Sequence, residues 1–217
     1  MAAYRDLETL QAELAAKGET IRARLEHYRR VGRSDDRGIF EELCFCILAI
    51  QSTARGSDAA VRALAQEGLL WSGDPVAIGR ALRHRTRFHN HKAEYIVRAW
   101  ERFFSTDPPA LKATLDRFPT ARDAREWLVR EVDGFGYKEA SHFLRNIGRG
   151  EDLAILDRHV LSNLLQHRVI GRMPKSLTPR RYLEIEARAS AFARTLGVSL
   201  GVLDLLLWSR ETGEVFK

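Results

Sequence analysis

Residues 132–148 read VDGFGYKEASHFLRNIG. A helical pattern ends near Val132, and a second one begins near Tyr137. Helical spacing of apolar residues marks the second helix through Ala140, Phe143, Leu144 and Ile147. Gly148 suits its C-terminal stop, because glycine adopts the left-handed conformation that commonly ends a helix. The stretch therefore predicts two helices joined by a short, glycine-containing turn.

The turn itself contains Gly134 and Gly136 on either side of Phe135. Both glycines permit positive φ and leave backbone N–H groups unobstructed. A concave array of N–H groups at a helix N-terminus binds phosphate. This is the helix–hairpin–helix pattern, which holds a nucleic-acid backbone without reading its sequence. By itself the pattern is weak, since ordinary corners between helices also use Gly-x-Gly.

Lys138 follows the turn and lies in the first turn of the second helix. The helix macrodipole disfavours a cation there, by about 0.3–1 kcal/mol at an exposed position, so structure alone would prefer Asp or Glu. The same field favours the neutral amine, which is the form that a nucleophilic lysine needs. The alternatives are a surface lysine that contacts DNA phosphate, or one with no role.

A second motif, LAILDRHVLSNLL, covers residues 153–165. An apolar, strand-like approach ends at Asp157, and a helix with Leu161, Leu164 and Leu165 follows. Asp157 is a candidate N-cap, and this is its structural interpretation. A capping aspartate also holds a negative charge in a defined place, where it can stabilise a developing positive charge on a substrate.

Helical periodicity dominates the rest of the chain and predicts an all-α fold of about ten helices, with no convincing alternating strand. Gly18 is a candidate break in the first helix, and Ser57, Asp74 and Thr120 are candidate N-caps. We expect three segments: residues 1–33, which pack with the C-terminal lobe; residues 34–149, a helical lobe that ends in the hairpin motif; and residues 150–217, a C-terminal helical lobe.

The chain has 217 residues, of which 45% are hydrophobic, as in ordinary globular proteins. The longest apolar run, LCFCILAI at residues 43–50, is too short to span a membrane. The N-terminus lacks an apolar signal region, so we expect a location inside the cell. Cys44 and Cys46 point to different helix faces, which disfavours a mutual disulfide, and two cysteines cannot form a four-cysteine metal site. We expect both to be core residues.

The net charge is +6, and positive charge is concentrated in residues 80–102, hereafter the basic segment. This segment contains seven lysines and arginines and two acids, a net charge of +5. The basic residues are Arg80, Arg83, Arg85, Arg87, Lys92, Arg98 and Arg102. Clustered positive charge is typical of phosphate binding, and we single out Arg85 and Arg87 as DNA contacts. A merely solvated basic face explains the charge equally well.

GFGYKEA at residues 134–140, followed by LDRHV at residues 156–160, resembles the helix–hairpin–helix DNA glycosylase superfamily. The resemblance implies that Lys138 is the nucleophile and Asp157 the catalytic carboxylate. The chain departs from the endonuclease III branch because it lacks a C-terminal cysteine quartet, so no iron–sulfur cluster is expected. Alkyl-purine glycosylases of the superfamily lack the lysine and fit poorly.

RFHNHKAEYIVRAW at residues 87–100 and LDLLLWSRETGEVFK at residues 203–217 resemble the type-2 8-oxoguanine DNA glycosylases. By this resemblance Phe88 and Trp208 hold the flipped base between their rings, although core packing is the alternative for each. ILAIQSTARGS at residues 47–57 resembles the helix end that fills the gap in the duplex, which makes Gln51 a candidate wedge. Lys217 is the candidate residue for base discrimination, and a frayed terminus is its alternative.

The resemblance implies a bifunctional glycosylase/AP lyase that flips 8-oxoguanine out of double-stranded DNA, forms a lysine imine and cleaves the strand by β-elimination. It also implies a two-lobed helical fold with the active site in the cleft between the lobes. No cofactor or metal is expected, nor a membrane, and the enzyme is expected to be a monomer in the cytoplasm of a prokaryote, at the nucleoid. The alternatives are a glycosylase/lyase for another oxidised base and a non-catalytic helix–hairpin–helix DNA-binding protein.

Overall fold

The computed structural model describes residues 4–217; residues 1–3, the start of the expected 1–33 segment, lie outside the described residues. The described chain contains a 3-10 helix, Leu69–Trp71, and eleven α-helices. The α-helices are α1 (Leu7–Arg33), α2 (Asp36–Leu48), α3 (Ala54–Gln66), α4 (Pro75–Leu82), α5 (His89–Phe104), α6 (Leu111–Leu115), α7 (Ala121–Glu131), α8 (Tyr137–Asn146), α9 (Arg158–Gln166), α10 (Pro179–Thr195) and α11 (Leu200–Thr212). Residues 4–217 contain no β-strand, so the predicted all-α fold is confirmed.

Most helices begin at a side chain that satisfies the free N–H groups of the first turn. Asp74, Thr120 and Asp157 accept such hydrogen bonds, as predicted from their positions. Ser57 does not cap α3, because the cap is Thr53, four residues earlier. The Ser57 hydroxyl instead donates to the Thr53 carbonyl at 2.9 Å. The helix therefore starts one turn before the predicted position.

The expected break at Gly18 is also wrong, because α1 runs through it as one helix of 27 residues. Glycine inside a helix costs only about 1 kcal/mol relative to alanine. The buried face of α1 provides a larger, opposing contribution. Its buried side chains are Leu10, Ile21, Leu25 and Tyr28.

Buried side chains form two hydrophobic clusters. The first is built from residues 39–153, and the second combines residues 10–28 of α1 with residues 154–207. Cys44 and Cys46 are buried in the first cluster as free thiols, which confirms their expected place in the core. Within residues 4–217 there is no group of three or more His, Cys, Asp and Glu side chains that could hold a metal ion.

A test for membrane-spanning helices over the described residues finds no single helix that is long and apolar enough. The helices α10 and α11 would pass together on length and composition alone, as a pair bent by 89°.

A buried ion pair ties the hairpin to the C-terminal segment. Arg125 of α7 donates from both terminal nitrogens to Glu186 of α10, at 2.6 and 3.0 Å, and both side chains are almost fully buried. Arg125 also donates to Ser141 of α8 at 3.2 Å, while Glu186 accepts the N–H of Ala154 at 2.9 Å. The pair therefore fixes α8 relative to the segment that leads into Asp157.

We expect Glu186→Gln to lower the free energy of unfolding by about 3–5 kcal/mol, because it leaves the Arg125 charge buried without its partner. Urea denaturation measures the change. The matched control is Glu184→Gln on the same helix. Glu184 pairs with Arg180 and Arg181 at the surface and should change stability by less than about 1 kcal/mol. Equal effects of the two substitutions would contradict a structural role for the buried pair.

Candidate active site

The hairpin turn covers residues 132–136, between α7 and α8. Gly134 has φ +82°, and a Cβ atom there would lie 2.8 Å from Cδ2 of Tyr95, so both conformation and space require glycine. Gly136 has φ −104°, so it does not use the positive φ that glycine permits. Its N–H is also not free, because it donates to Oε2 of Glu139 at 3.2 Å. Glu139 occupies the third helical position, from which a glutamate reaches back to the cap.

Lys138 lies in the first turn of α8, directly after the hairpin. Its side chain is 25% exposed, and Nζ lies 3.7 Å from Oε1 of Glu139. The amine is therefore reachable from solvent, although most of its side chain is covered. Asp157 is the N-cap of α9 and accepts the N–H of Val160 at 2.7 Å, which fixes the direction of its partly buried carboxylate.

Asp204 of α11 is a buried acid. Its carboxylate lies 3.2 Å from Nη2 of the buried Arg145. Burial raises the pKa of Asp204 to about 6; Arg145 and Lys138 oppose this rise, and the negative charge of Asp157 adds to it. Asp204 is therefore a further candidate residue of the site, and the charges of both Lys138 and Asp157 act on its pKa. Asp204 was not identified from the sequence. It could have been recognised as the single acid within the otherwise apolar residues 203–207.

The two candidate stacking residues lie on different elements. Phe88 is 51% exposed, so the core-packing alternative is wrong for it. It precedes α5 with φ +55°, and the guanidinium of Arg87 lies 5.6 Å from its ring centroid. Trp208 is partly buried on α11, with its ring centroid 6.5 Å from that of Phe216.

Lys217 is fixed in place. Its side chain is 14% exposed, and Nζ lies 2.9 Å from Oε2 of Glu42 and 3.1 Å from Oδ1 of Asp58. Nζ also lies 4.4 Å from the ring centroid of Phe45. Burial by itself would lower the pKa of Lys217, but Glu42 and Asp58 outweigh burial and raise it. The frayed-terminus alternative is therefore wrong.

The segment before Lys217 is held along its length. The Tyr28 hydroxyl of α1 donates to the carbonyl of Phe216 at 2.9 Å. The guanidinium groups of Arg24 and Arg55 lie 5.7 and 5.2 Å from the centroid of the Phe216 ring. Arg55 also pairs with Glu214. Contacts to α1 and α3 thus lead the chain end towards Glu42 of α2.

Gln51, Arg85 and Arg87 line one open hollow of about 440 Å³. Gln51 and His84, which also lines it, have φ of +51° and +66°. Positive φ is strained for residues other than glycine, and such strain concentrates at functional sites. The structure therefore brings the candidate wedge and the two candidate DNA-contacting arginines together at one surface.

Lys92 departs from the expectation for the basic segment, because it is 2% exposed and cannot face DNA. Its ammonium donates to the carbonyls of Leu48 and Ile50, at 2.8 and 2.6 Å, at the end of α2. Burial, together with the nearby charge of Arg87, lowers its pKa to about 8. Lys92 therefore supports the backbone beneath the hollow.

Some of the positive charge in the basic segment is neutralised by ion pairs and is not free to bind phosphate. Arg98 pairs with Asp133 at 2.7 Å, and Arg102 pairs with Glu131. Within residues 4–217, the remaining basic side chains of the segment are exposed and form no ion pair. These are Arg80, Arg83, Arg85 and Arg87.

Comparison with known proteins is consistent with this geometry. The family model described as 8-oxoguanine DNA glycosylase matches residues 21–198. The 8-oxoguanine DNA glycosylase/AP lyase of Fusobacterium nucleatum is 36% identical over 99% of this chain and 97% of its own length. The crystal structure of the Methanocaldococcus jannaschii 8-oxoguanine DNA glycosylase is 33% identical and superposes with a TM-score of 0.87 over 97% of this chain and 95% of that one.

A second M. jannaschii structure, of the glycosylase/lyase with a 15-mer DNA containing 8-oxoguanine, has a TM-score of 0.85 and 32% identity over 96% of this chain and 100% of that one. The family model, the relatives and the solved structures all indicate the same family. The chain belongs to the 8-oxoguanine DNA glycosylase family.

Proposed function

We propose that Lys138 is the nucleophile with which this 8-oxoguanine DNA glycosylase/AP lyase removes the damaged base. The observation that carries the proposal is the position of Lys138 in the first turn of α8, immediately after the hairpin, with a side chain that is partly exposed. A hairpin that holds the DNA backbone would present the sugar of a flipped nucleotide to this amine.

In the proposed reaction, the neutral Lys138 amine attacks C1′ of the sugar, and the bond from C1′ to the base breaks. The departing base takes the bonding electrons and one proton of the amine. The C1′–O4′ bond then breaks, O4′ takes the second amine proton, and C1′ and Nζ remain joined as an imine of the opened sugar. Asp157 stabilises the positive charge that develops on the sugar. Loss of a proton from C2′ of the imine then expels the 3′ phosphate, which nicks the strand.

For the base itself, we propose that Phe88 and Trp208 stack on its two faces and that Lys217 reads its edge. The lesion carries a hydrogen on N7, where guanine has an acceptor, so a selective site needs an acceptor aimed at N7. The ammonium of Lys217 already pairs with Glu42 and Asp58. This leaves the carboxylate of Lys217 as the group for N7.

DNA is the substrate, and we propose that it lies along the hairpin at Gly134 and Gly136 and across the hollow. In this arrangement Gln51 fills the gap left by the flipped nucleotide, and Arg85 and Arg87 bind phosphates. The strained backbone of Gln51 and the exposure of both arginines support the assignment. Unpairing one base costs a few kcal/mol, and least for a damaged base.

We propose that the enzyme acts as a monomer of two lobes, with residues 4–33 and 150–217 in one lobe and residues 34–149 in the other. The two hydrophobic clusters, whose members follow nearly this division, support the proposal. The active site would lie in the cleft between the lobes. Sedimentation equilibrium of the free protein tests the oligomeric state.

Borohydride trapping tests the proposed chemistry. The protein is incubated with duplexes that contain 8-oxoguanine, an oxidised pyrimidine or undamaged guanine, and borohydride reduces any imine to a stable cross-link. We expect a cross-link with the 8-oxoguanine duplex and none with guanine. A cross-link with the pyrimidine lesion alone would show a different substrate, and the absence of cross-links on all duplexes would show a non-catalytic DNA-binding protein.

We expect Asp157→Asn to slow base release by about 100-fold or more, because the electrostatic stabilisation of the sugar cation is lost. Stability should change little, since asparagine is also a good N-cap. Single-turnover excision and a thermal melt measure the two properties. A folded variant that releases the base at nearly the normal rate would show that Asp157 is only a cap.

Arg85→Ala and Arg87→Ala should each weaken DNA binding at every sequence. Each lost phosphate contact should reduce the slope of log K against log salt concentration by about 1. Fluorescence anisotropy at several salt concentrations measures the slope, and Arg188→Ala, an exposed arginine of α10, is the control. Unchanged affinity and slope for both variants would mean that the arginines form a solvated face.

A further inference from the structure

His142 is a buried residue of the hairpin helix that the proposed mechanism does not use. It lies four residues after Lys138 in α8, so the two side chains share one face of the helix. The residue is 7% exposed, and its ring meets the ring of Phe45 edge to face, at 5.6 Å between centroids. The ammonium of Lys217 contacts that same Phe45 ring. His142 and Lys217 thus contact the same aromatic ring, and His142 lies one helical turn after Lys138.

Neither ring nitrogen of His142 has a hydrogen-bond partner within residues 4–217. Buried polar groups in proteins are almost always paired, because an unpaired one costs about 1–3 kcal/mol. An apolar side chain at this position would carry no such penalty. An unpaired polar side chain beside a nucleophile indicates that its partner arrives with the substrate.

The charge state of His142 limits which chemical class of ligand could form its missing hydrogen bonds. Burial lowers its pKa well below the usual value, and the positive charges of Arg145, Lys138 and Lys217 lower it further. The imidazole is therefore neutral at physiological pH, with one N–H donor and one acceptor nitrogen. Such a group repels no cation in the site and fits a neutral, polar, planar ligand with its own donors and acceptors. A purine base has this chemistry, whereas an anionic phosphate would favour a charged histidine.

We propose that His142 contacts the flipped base, with its imidazole hydrogen-bonded to the edge of 8-oxoguanine. The inference rests on the proposed function and extends it, because the specificity of the site then involves the hairpin helix as well as the chain end. Both residues lie on one face of α8, where Lys138 reacts with the sugar and His142 binds the base. An abasic site engages Lys138 alone.

Two variants of His142 test the proposal. His142→Phe keeps an aromatic ring and removes both polar nitrogens, and His142→Gln keeps one donor and one acceptor. Each is measured for single-turnover release of 8-oxoguanine, for cleavage of a pre-formed abasic site and for melting temperature. We expect His142→Phe to release the base about 10- to 100-fold more slowly, to cleave the abasic site within about twofold of wild type, and to melt at the same or a higher temperature. His142→Gln should recover most of the lost excision.

Other results overturn the proposal. If His142→Phe releases 8-oxoguanine at the wild-type rate, the imidazole does not contact the base. If cleavage of the abasic site falls as much as base release, or if the melting temperature drops, His142 is a structural residue of α8. These results differ from a failure of the proposed function itself. In that case the wild-type protein would release no 8-oxoguanine in the same assay.

Discussion

Replacing Lys138 by glutamine is expected to abolish borohydride trapping and to reduce base excision and strand nicking by roughly 10³-fold or more, as for other covalent nucleophiles. The amide cannot attack the sugar or form an imine. DNA binding should persist, because the hairpin turn and the exposed arginines are unchanged. Gel-based trapping, nicking and anisotropy assays on the same preparations measure the three properties.

The fold should survive this substitution. Within residues 4–217, the one ion pair of Lys138 is its long contact to Glu139, at 3.7 Å, and removing a cation from the first turn of α8 is favourable by about 0.3–1 kcal/mol. The control is Lys175→Gln, which changes an exposed lysine outside the site and should leave trapping intact. Full trapping by Lys138→Gln would assign the nucleophile to another residue.

A chain extended by one glycine after Lys217 should release 8-oxoguanine about 100-fold more slowly and still cleave a pre-formed abasic site at a near-normal rate. The extension converts the Lys217 carboxylate into an amide and leaves the ammonium in place. The acceptor proposed for N7 is then lost, whereas the abasic substrate has no base to recognise. Parallel single-turnover assays on the two substrates measure the contrast.

The complementary variant, Lys217→Met, keeps the carboxylate and removes the ammonium. Glu42, which is 4% exposed, and Asp58 then lose their shared cation. We expect a lower melting temperature and slower excision, because the tail is no longer held. If the glycine-extended chain excises 8-oxoguanine as fast as the unmodified one, the carboxylate is not part of the base pocket.

Local chemistry accounts for the features that the sequence predicted well. Asp157 caps α9 because its own carboxylate reaches N–H groups only three residues away, and Gly134 is required by the φ angle of its own turn. Such interactions are complete within a few residues, so they can be predicted from order and spacing alone. The order of the hairpin, Lys138 and Asp157 along the chain was also enough to indicate the family.

Predictions failed where a nearby or competing side chain intervened. Gly136 does not offer a free N–H because Glu139 occupies it, and Ser57 is not a cap because Thr53 is better placed. Lys92 lies among arginines in the sequence, yet its ammonium is buried against the carbonyls at the end of α2. In a helix, adjacent residues face different directions, so a count of charges over a segment overestimates the charge that faces DNA.

By itself, the sequence determined the helical architecture, the hairpin with its lysine, the capping aspartate and the family to which the chain belongs. Only the tertiary structure decided which charges are available and which groups share the site. Glu42 and Asp58 are more than 150 residues from Lys217 along the chain, yet they hold its ammonium. The same folding buries His142 with no hydrogen-bond partner among the described residues, and it buries Asp204 against Arg145. The physical reason is that burial, pairing and charge depend on contacts between distant segments, which no local pattern records.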